Sequence, residues 1–566
     1  MGYVVGDYLL DRLRELGVTD IFGVPGDFNL QFLDHVIAHP GIRWIGSANE
    51  LNAGYAADGY ARLRGIGAVV TTYGVGELSA VNAIAGSYAE HVPVVHIVGV
   101  PAKDVQAGHR VIHHTLGDGD FHHFRRIAAE VTCAQADLGA ADACPEIDRV
   151  LNSVRVHRRP GYLMLATDTA RVEVSPPATP LAPPADFSSA GARAAFAQAA
   201  REFLGGRRVT VLADIFVDRV GATDRLRSLV GPTPGQPHGL PHATLAWGKT
   251  VVDESARNFL GVYTGAASPP QLRAAVEDAD RLVTVGVQYT DSITAGFSHR
   301  IDPHRTLDIG PERTVIGGVD AFAPLSLTAA LEILAELAPE FAGPAPVPAP
   351  AAAASDAPPA VDAPPAVDAP LTQAALWPLV AAALGNSNIV VADQGSAFFG
   401  LATLRMPTGI TFLGQPLWGS IGYALPAALG AGIACPNRRA VLVIGDGAAQ
   451  LSIQELGIWI REQVNGVIIL VDNNGYAIER AIHGPAAPYN DIAPWRWPEL
   501  PHAFGGDAES VLTLRATTVG ELQHCLTVAT DEQDRLVFLQ VITGTTDYPP
   551  LVSDLAAALT PANTRT

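Results

Sequence analysis

Ala440-Val-Leu-Val-Ile-Gly445-Asp446-Gly447, then Val467-Ile-Ile-Leu-Val-Asp-Asn473-Asn474, is the stretch whose reading decides the fold. Both short apolar runs read as buried strands. Between them, Gln450 to Glu462 carries Leu451, Ile453, Leu456, Ile458 and Ile460 at helical spacing. Strand, helix, strand in that order predicts parallel strands joined by a right-handed crossover. Asp446 and Asn473 then fall at the carboxyl ends of parallel strands, the edge where open α/β sheets bind ligands. A carboxylate, an amide oxygen and a nearby backbone carbonyl suit Mg²⁺, which takes oxygen ligands in near-octahedral array. Gly445 and Gly447 let backbone N–H groups approach a phosphate at a helix N-terminus. Alone, Gly-Asp-Gly would be an ordinary strand-to-helix turn. The paired asparagines after a second strand argue against that.

Working outward, the same alternation fills most of the chain. Residues 1–178 hold an amphipathic helix (Val4–Leu16), a short strand (Asp20–Val24) and buried strands at Ala68–Thr72, Val94–Val98 and Pro160–Ala166. Prolines cluster at 176–184 as a linker. Residues 187–341 repeat the pattern, with strands at Arg208–Ala213 and Arg281–Gly286. Residues 343–370 are rich in Pro and Ala and repeat Ala-Pro-Pro-Ala-Val-Asp, which predicts an extended tether. Residues 371–566 hold the opening stretch and end in a helix. The expected architecture is three doubly wound parallel-sheet α/β domains.

The totals narrow the function. A chain of 566 residues with 48% apolar content supports about three well-buried cores. With 37 Lys+Arg against 57 Asp+Glu, the net charge of −20 argues against nucleic acid and anionic membranes as partners. A phosphate ligand stays open, because a metal and backbone N–H groups bind one without a basic patch. Cys133, Cys144, Cys435 and Cys525 are scattered, with no disulfide framework or zinc knuckle, which suits a reducing cytoplasm. Neither a signal peptide nor a membrane span is expected; Leu417 to Cys435 is broken by glycines and Pro426 and reads as a buried helix. Trp247-Gly-Lys-Thr250 ends like a P-loop, but the first glycine would fall at Ala243, so nucleotide binding there is rejected.

Beyond the opening stretch runs Asn473-Asn-Gly-Tyr-Ala-Ile-Glu479-Arg-Ala-Ile-His-Gly484. This text resembles the diphosphate-binding motif of thiamine-diphosphate enzymes, in the branch of 2-oxo acid decarboxylases. The likeness extends over nearly the whole chain and matches that family's pyrimidine-binding, middle and diphosphate-binding domains in order. It implies thiamine diphosphate and Mg²⁺ as cofactors. Asp446, Asn473 and the backbone of Gly475 would hold the metal. Thr72, Ser396, Gly419, Gly445, Gly447, Ala448, Tyr476 and Ile478 would border the cofactor. Ile421, in Gln415-Pro-Leu-Trp-Gly-Ser-Ile421, would wedge between its rings. Glu50, at the start of a small-residue helix, is the family's partner for the pyrimidine nitrogen. On its own it is a carboxylate at the positive end of a helix dipole.

The same resemblance implies proton-handling roles for Asp27, His113, His114 and Glu479. Imidazole suits that work because its ordinary pKa lies near neutrality. Read alone, Asp27 belongs to a turn, Glu479 to a helix surface, and the histidines to a surface or a metal cluster. Relatives usually carry threonine at Ala477, and some carry serine at Ala448, so fewer hydroxyls reach the diphosphate here. The implied reaction is non-oxidative decarboxylation of a 2-oxo acid to aldehyde and CO₂. A pyruvate decarboxylase, a carboligase of the acetolactate synthase type and a non-catalytic cofactor-binding scaffold are the rivals. Ser292, Gln394, Phe398, Ile478 and Leu555 would border the substrate pocket. Phe398 and Ser292 stand where pyruvate-specific relatives carry tryptophan and tyrosine, which implies aromatic or branched-chain substrates. Family sites lie between subunits, with Asp27, Glu50, His113 and His114 from one chain and Asp446 and Glu479 from its partner. A homodimer is the minimal unit, usually paired into a homotetramer.

Overall fold

The computed structural model describes residues 2–232, 238–341 and 366–563, the last seven of these as backbone only. Most of the Pro/Ala-rich stretch, 342–365, lies outside the described residues. Its last residues are described and lie against the third unit: Gly520 N–H donates to the Val367 carbonyl at 2.9 Å, and Val519 N–H to that of Ala369 at 3.1 Å.

Three sheets follow one another along the chain. The first contains β1 (Asp20–Gly23), β2 (Arg43–Gly46), β3 (Gly67–Thr72), β4 (Val94–Val100), β5 (Ala134–Asp137) and β6 (Gly161–Ala166). Its order is β2-β1-β3-β4-β6-β5, and every pairing is parallel. The second contains β7 (Val209–Ala213), β8 (His242–Thr244), β9 (Phe259–Val262), β10 (Arg281–Val285), β11 (Thr306–Ile309), β12 (Thr314–Ile316) and β13 (Asp320–Phe322). It departs from the all-parallel expectation, because β12 and β13 extend it as antiparallel neighbours of β11. The third contains β14 (Ile389–Ala392), β15 (Thr411–Leu413), β16 (Ala440–Gly445), β17 (Gly466–Asp472), β18 (Val511–Ala516) and β19 (Leu536–Ile542). Its order is β15-β14-β16-β17-β19-β18, again all parallel. Continuous apolar runs such as Val441–Ile444 and Val467–Val471 are buried along their length, as strands covered on both faces must be.

The expected helix over 450–462 is not continuous. One turn (Asp446–Ala449) is followed by a 3₁₀ turn (Ile453–Glu455) and a short helix (Leu456–Arg461). Leu451, one of the apolar positions in that pattern, is half exposed. Ser452 Oγ donates to the Gly422 carbonyl at 2.7 Å, a side-chain bond that competes with helix continuation.

The first and third units dock through two small-residue helices, Glu50–Arg64 and Ala424–Ala434. A Cβ on Gly59 would stand 2.0 Å from the Ala427 carbonyl oxygen, and one on Gly430 1.9 Å from that of Ala56. The two backbones touch, which only glycine permits. A buried polar network surrounds this contact. Arg62, Ser87 and Tyr423 all donate to the Asp58 carboxylate. Glu90 accepts from the Trp247 indole N–H at 2.7 Å and from the Leu417 and Trp418 N–H groups, so it ties all three units together. Lys249 pairs with Glu254 in full burial, at 2.8 Å, and also donates to the Leu404 carbonyl.

Candidate active site

A cleft opens at the carboxyl ends of β14, β16 and β17, beside the β14/β16 position where the strand order reverses. Asp393, Gln394, Ser396, Ile421, Gly445, Asp446, Gly447, Ala448, Asn473, Gly475, Tyr476, Ala477, Ile478 and Glu479 line it. Gly419 stands just behind Gln394. Asp446 is buried and accepts from the N–H of Gly447 at 2.8 Å and of Gly475 at 3.2 Å. Burial and the neighbouring Asp472 carboxylate push its carboxyl well above the usual range.

The donor set fits a hard cation. The oxygen of the Asn473 amide faces only acceptors; turned over, its nitrogen would stand 3.1 Å from Asp446 Oδ1 and 2.9 Å from the Gly475 carbonyl. Asp446 Oδ1 and the Gly475 carbonyl oxygen therefore both face the Asn473 amide oxygen. An octahedral Mg²⁺ with bonds of about 2.1 Å sets adjacent ligand oxygens about 3 Å apart, which matches this spacing. The backbone at Gly445 is open, because a Cβ there would meet nothing within 4 Å. Ala448 and Ala477 line the cleft without hydroxyls.

Two residues here went unread in the sequence. Asp393 is fully buried and accepts from the N–H groups of Gly422 and Ala424, and burial raises it to about 7. Its signal was the one used for Asp446, an acid just past a buried strand. Arg480 is buried and holds the 474–491 loop, pairing with Asp491 at 2.7 Å and donating to the carbonyls of Asn474, Pro485 and Asn490. That loop seats Glu479 in the cleft.

The remaining candidates gather on the first unit, also at carboxyl ends. His113 Nε2 lies 2.7 Å from Asp27 Oδ2, and His114 Nε2 lies 4.0 Å from Oδ1. The Phe28 ring stacks on His113 with centroids 5.0 Å apart. The ligand atoms of Asp27, His113 and His114 all lie within 4.8 Å of one another, close enough for a cation. The hydrogen bond between His113 and Asp27 accounts for that closeness without one. His122 and His123 lie apart, paired with surface aspartates. Glu50 is half-buried at the first turn of its helix, and its Oε1 would meet a Cβ on Gly76 at 3.2 Å. Thr72 Oγ1 is buried with no partner. None of these residues lines the cleft of the third unit.

The substrate-pocket candidates divide. Gln394 and Ile478 line the cleft, and Gln394 Oε1 is buried without a partner. Phe398 is buried behind it against Gly414 and Phe412. Leu555 is buried in the terminal helix Pro550–Asn563. Ser292, on the middle unit, donates to the Pro416 carbonyl at 3.1 Å.

Comparison with known proteins identifies the family. The N-terminal, central and C-terminal domains of thiamine pyrophosphate enzymes match residues 4–123, 196–337 and 393–541. An alpha-keto-acid decarboxylase of Mycobacterium ulcerans is 55% identical over 99% of this chain and 96% of its own length. One from Mycobacterium leprae is 54% identical over 98% and 95%. A solved thiamine diphosphate-dependent 4-hydroxybenzoylformate decarboxylase from Rhodococcus jostii shares the fold, with a TM-score of 0.75 at 21% identity over 96% of this chain and 99% of that one. The chain belongs to the thiamine-diphosphate-dependent 2-oxo acid decarboxylases, carbon–carbon lyases within the thiamine pyrophosphate enzyme family. Among the described residues, no helix is long and apolar enough to cross a membrane.

Proposed function

We propose that this chain converts 2-oxo acids to aldehyde and CO₂, with thiamine diphosphate held through Mg²⁺ in the third-unit cleft. The observation that carries the reading is the convergence of oxygens from Asp446, Asn473 and Gly475 beside an open glycine backbone. Bound thiamine diphosphate supplies the nucleophile and the electron sink. The chain supplies the rest. Asp446, Asn473 and Gly475 hold the metal, and Ile421 supports the cofactor. Glu50 holds a proton at the pyrimidine nitrogen, and Thr72 offers its free hydroxyl nearby. Asp27, His113, His114 and Glu479 move protons to and from the substrate.

None of Asp27, Glu50, Thr72, His113 and His114 lines the third-unit cleft of the same chain, which supports a homodimer as the minimal unit and a homotetramer as its assembly. The boundaries follow as a pyrimidine-binding domain (1–178), a middle domain (187–341), a connection (343–370) and a diphosphate-binding domain (371–566). Four free cysteines favour a reducing compartment, the cytoplasm. Gln394 and Ile478 set the floor of the substrate site, with Phe398, Ser292 and Leu555 shaping it from behind. We read the preference as aromatic or branched-chain over pyruvate. CO₂ release over a panel of 2-oxo acids, with and without thiamine diphosphate and Mg²⁺, tests the whole reading. Release independent of both cofactors would refute it.

A further inference from the structure

One buried acid of the first unit has no part in the chemistry above. Glu77 is 4% exposed, in the helix Val75–Ala89. The Gly74 N–H donates to its Oε1 at 2.8 Å, and the Tyr162 hydroxyl donates to Oε2 at 2.6 Å. The first bond is a capping box, an ordinary way to begin a helix. The second is not part of a cap, since Tyr162 reaches across from β6, two strands away. Burial pushes the Glu77 carboxyl up to about 7 even though both bonds pull the other way. An exposed cap would avoid that cost.

The arrangement supports the seat of His114. Gly74 takes φ +66°, and a Cβ on it would stand 2.1 Å from the His114 carbonyl oxygen and 3.1 Å from the Phe124 ring. The histidine loop therefore rests on the bare Cα of Gly74. His114 itself holds φ +63°, a conformation non-glycine residues adopt only where the surroundings impose it. Tyr73, Phe121, Phe124 and Tyr162 form part of a small apolar core under this loop. We propose that Glu77 is a positioning residue: together with Tyr162 it fixes the Gly74 turn, and that turn holds the His113–His114 pair toward Asp27. The inference rests on the proton-handling reading of those histidines.

Glu77→Gln keeps an oxygen for the Gly74 N–H, whereas Glu77→Ala keeps none. Both are compared as full chains loaded with thiamine diphosphate and Mg²⁺, by steady-state kinetics and by backbone hydrogen exchange over residues 108–122. For Glu77→Ala we expect kcat to fall about tenfold, a size that sub-ångström misplacement of a reacting group produces. KM and cofactor affinity should hold, exchange over 108–122 should rise, and Glu77→Gln should restore most of both. The double variant Glu77→Ala/His114→Gln should be no slower than His114→Gln alone; additive losses would overturn the inference. Wild-type kcat and exchange in Glu77→Ala, beside an inactive His114→Gln, would overturn it and leave the histidine reading standing. Full activity in His114→Gln would remove the histidine reading and the inference with it. Should Glu77→Ala fail to fold, Tyr162→Phe must show the same loss in smaller measure, and an unchanged kcat there counts against the proposal.

Discussion

The first and third sheets have the same strand order, and they put opposite chemistry on equivalent loops. The buried Asp446 directly follows β16, and its counterpart β3 ends in the buried, small hydroxyl Thr72. The segment after β17 brings Asn473, the Gly475 backbone and Glu479 to the cleft. The loop after its counterpart β4 is longer and holds the exposed His113, bonded to Asp27 from the loop after β1, beside the half-buried His114. One scaffold thus gathers carboxylates, an amide and backbone groups in one copy, and a histidine pair beside an aspartate in the other. The difference suits the two tasks proposed above. A metal and a diphosphate need fixed, desolvated oxygens and N–H groups. Proton transfer needs groups whose charge changes near neutral pH.

The sharpest way to break this division is Asp446→Ala. It removes the carboxylate of the proposed metal site and would leave two phosphates poorly neutralised. Activity should fall to background, and calorimetry should show neither Mg²⁺ nor thiamine diphosphate binding. Tight cofactor binding by this variant would place the metal elsewhere.

Glu50→Gln attacks the other half. Cofactor binding should survive, because the diphosphate half is intact, while hydrogen–deuterium exchange at the cofactor's reactive carbon should stop. Unchanged exchange would remove Glu50 from its role. Mixing the two inactive variants sharpens the comparison further. If each site takes its acids and histidines from one chain and its diphosphate loops from the partner, hybrid dimers contain one intact site. Activity should then reappear on refolding or co-expression. Persistent inactivity would argue that one chain supplies both halves.

A smaller loss is expected from Gly59→Ala, which tests how the two copies are joined within a chain. The added methyl would stand 2.0 Å from the Ala427 carbonyl, so the helices must move apart. Overpacking of this kind costs about 1–3 kcal/mol. Thermal unfolding should shift down, with the diphosphate half still binding cofactor. An unchanged transition would mean that this contact contributes little to docking.

Legibility differed between the halves for physical reasons. Asp446 and Asn473 could be read because each follows a continuous apolar run, and because glycines mark the turns between. Asp27 and His113 bond to each other from loops 86 residues apart, and no local pattern announces such a pair. The Glu90 contacts with Trp247, Leu417 and Trp418 were invisible for the same reason. The helix expected over 450–462 failed where a single serine bond to Gly422 outweighed apolar periodicity. Asp393 was legible by the Asp446 logic but lacked a following asparagine pair to draw attention to it.

The smallest effect concerns substrate size, and it separates the cleft wall from the residues behind it. Ile478 lines the cleft, and its Cγ1 would lie 3.5 Å from a Cβ on Gly395, so the side chain stands between the β14 and β17 loops. Ile478→Val removes the terminal Cδ1 carbon, a net loss of one methylene, without adding polarity or charge. One methylene in an apolar pocket is worth about 1–3 kcal/mol, so the ratio of kcat/KM for indolepyruvate over pyruvate should rise by about tenfold. Phe398 is buried against Gly414 and Phe412, so Phe398→Leu should act by letting the wall relax, with a smaller change in the ratio. If Phe398→Leu shifts the ratio more than Ile478→Val does, Phe398 rather than Ile478 bounds the substrate. If the wild-type chain prefers pyruvate to phenylpyruvate, indolepyruvate and 4-methyl-2-oxopentanoate, the size argument fails while the decarboxylase class stands.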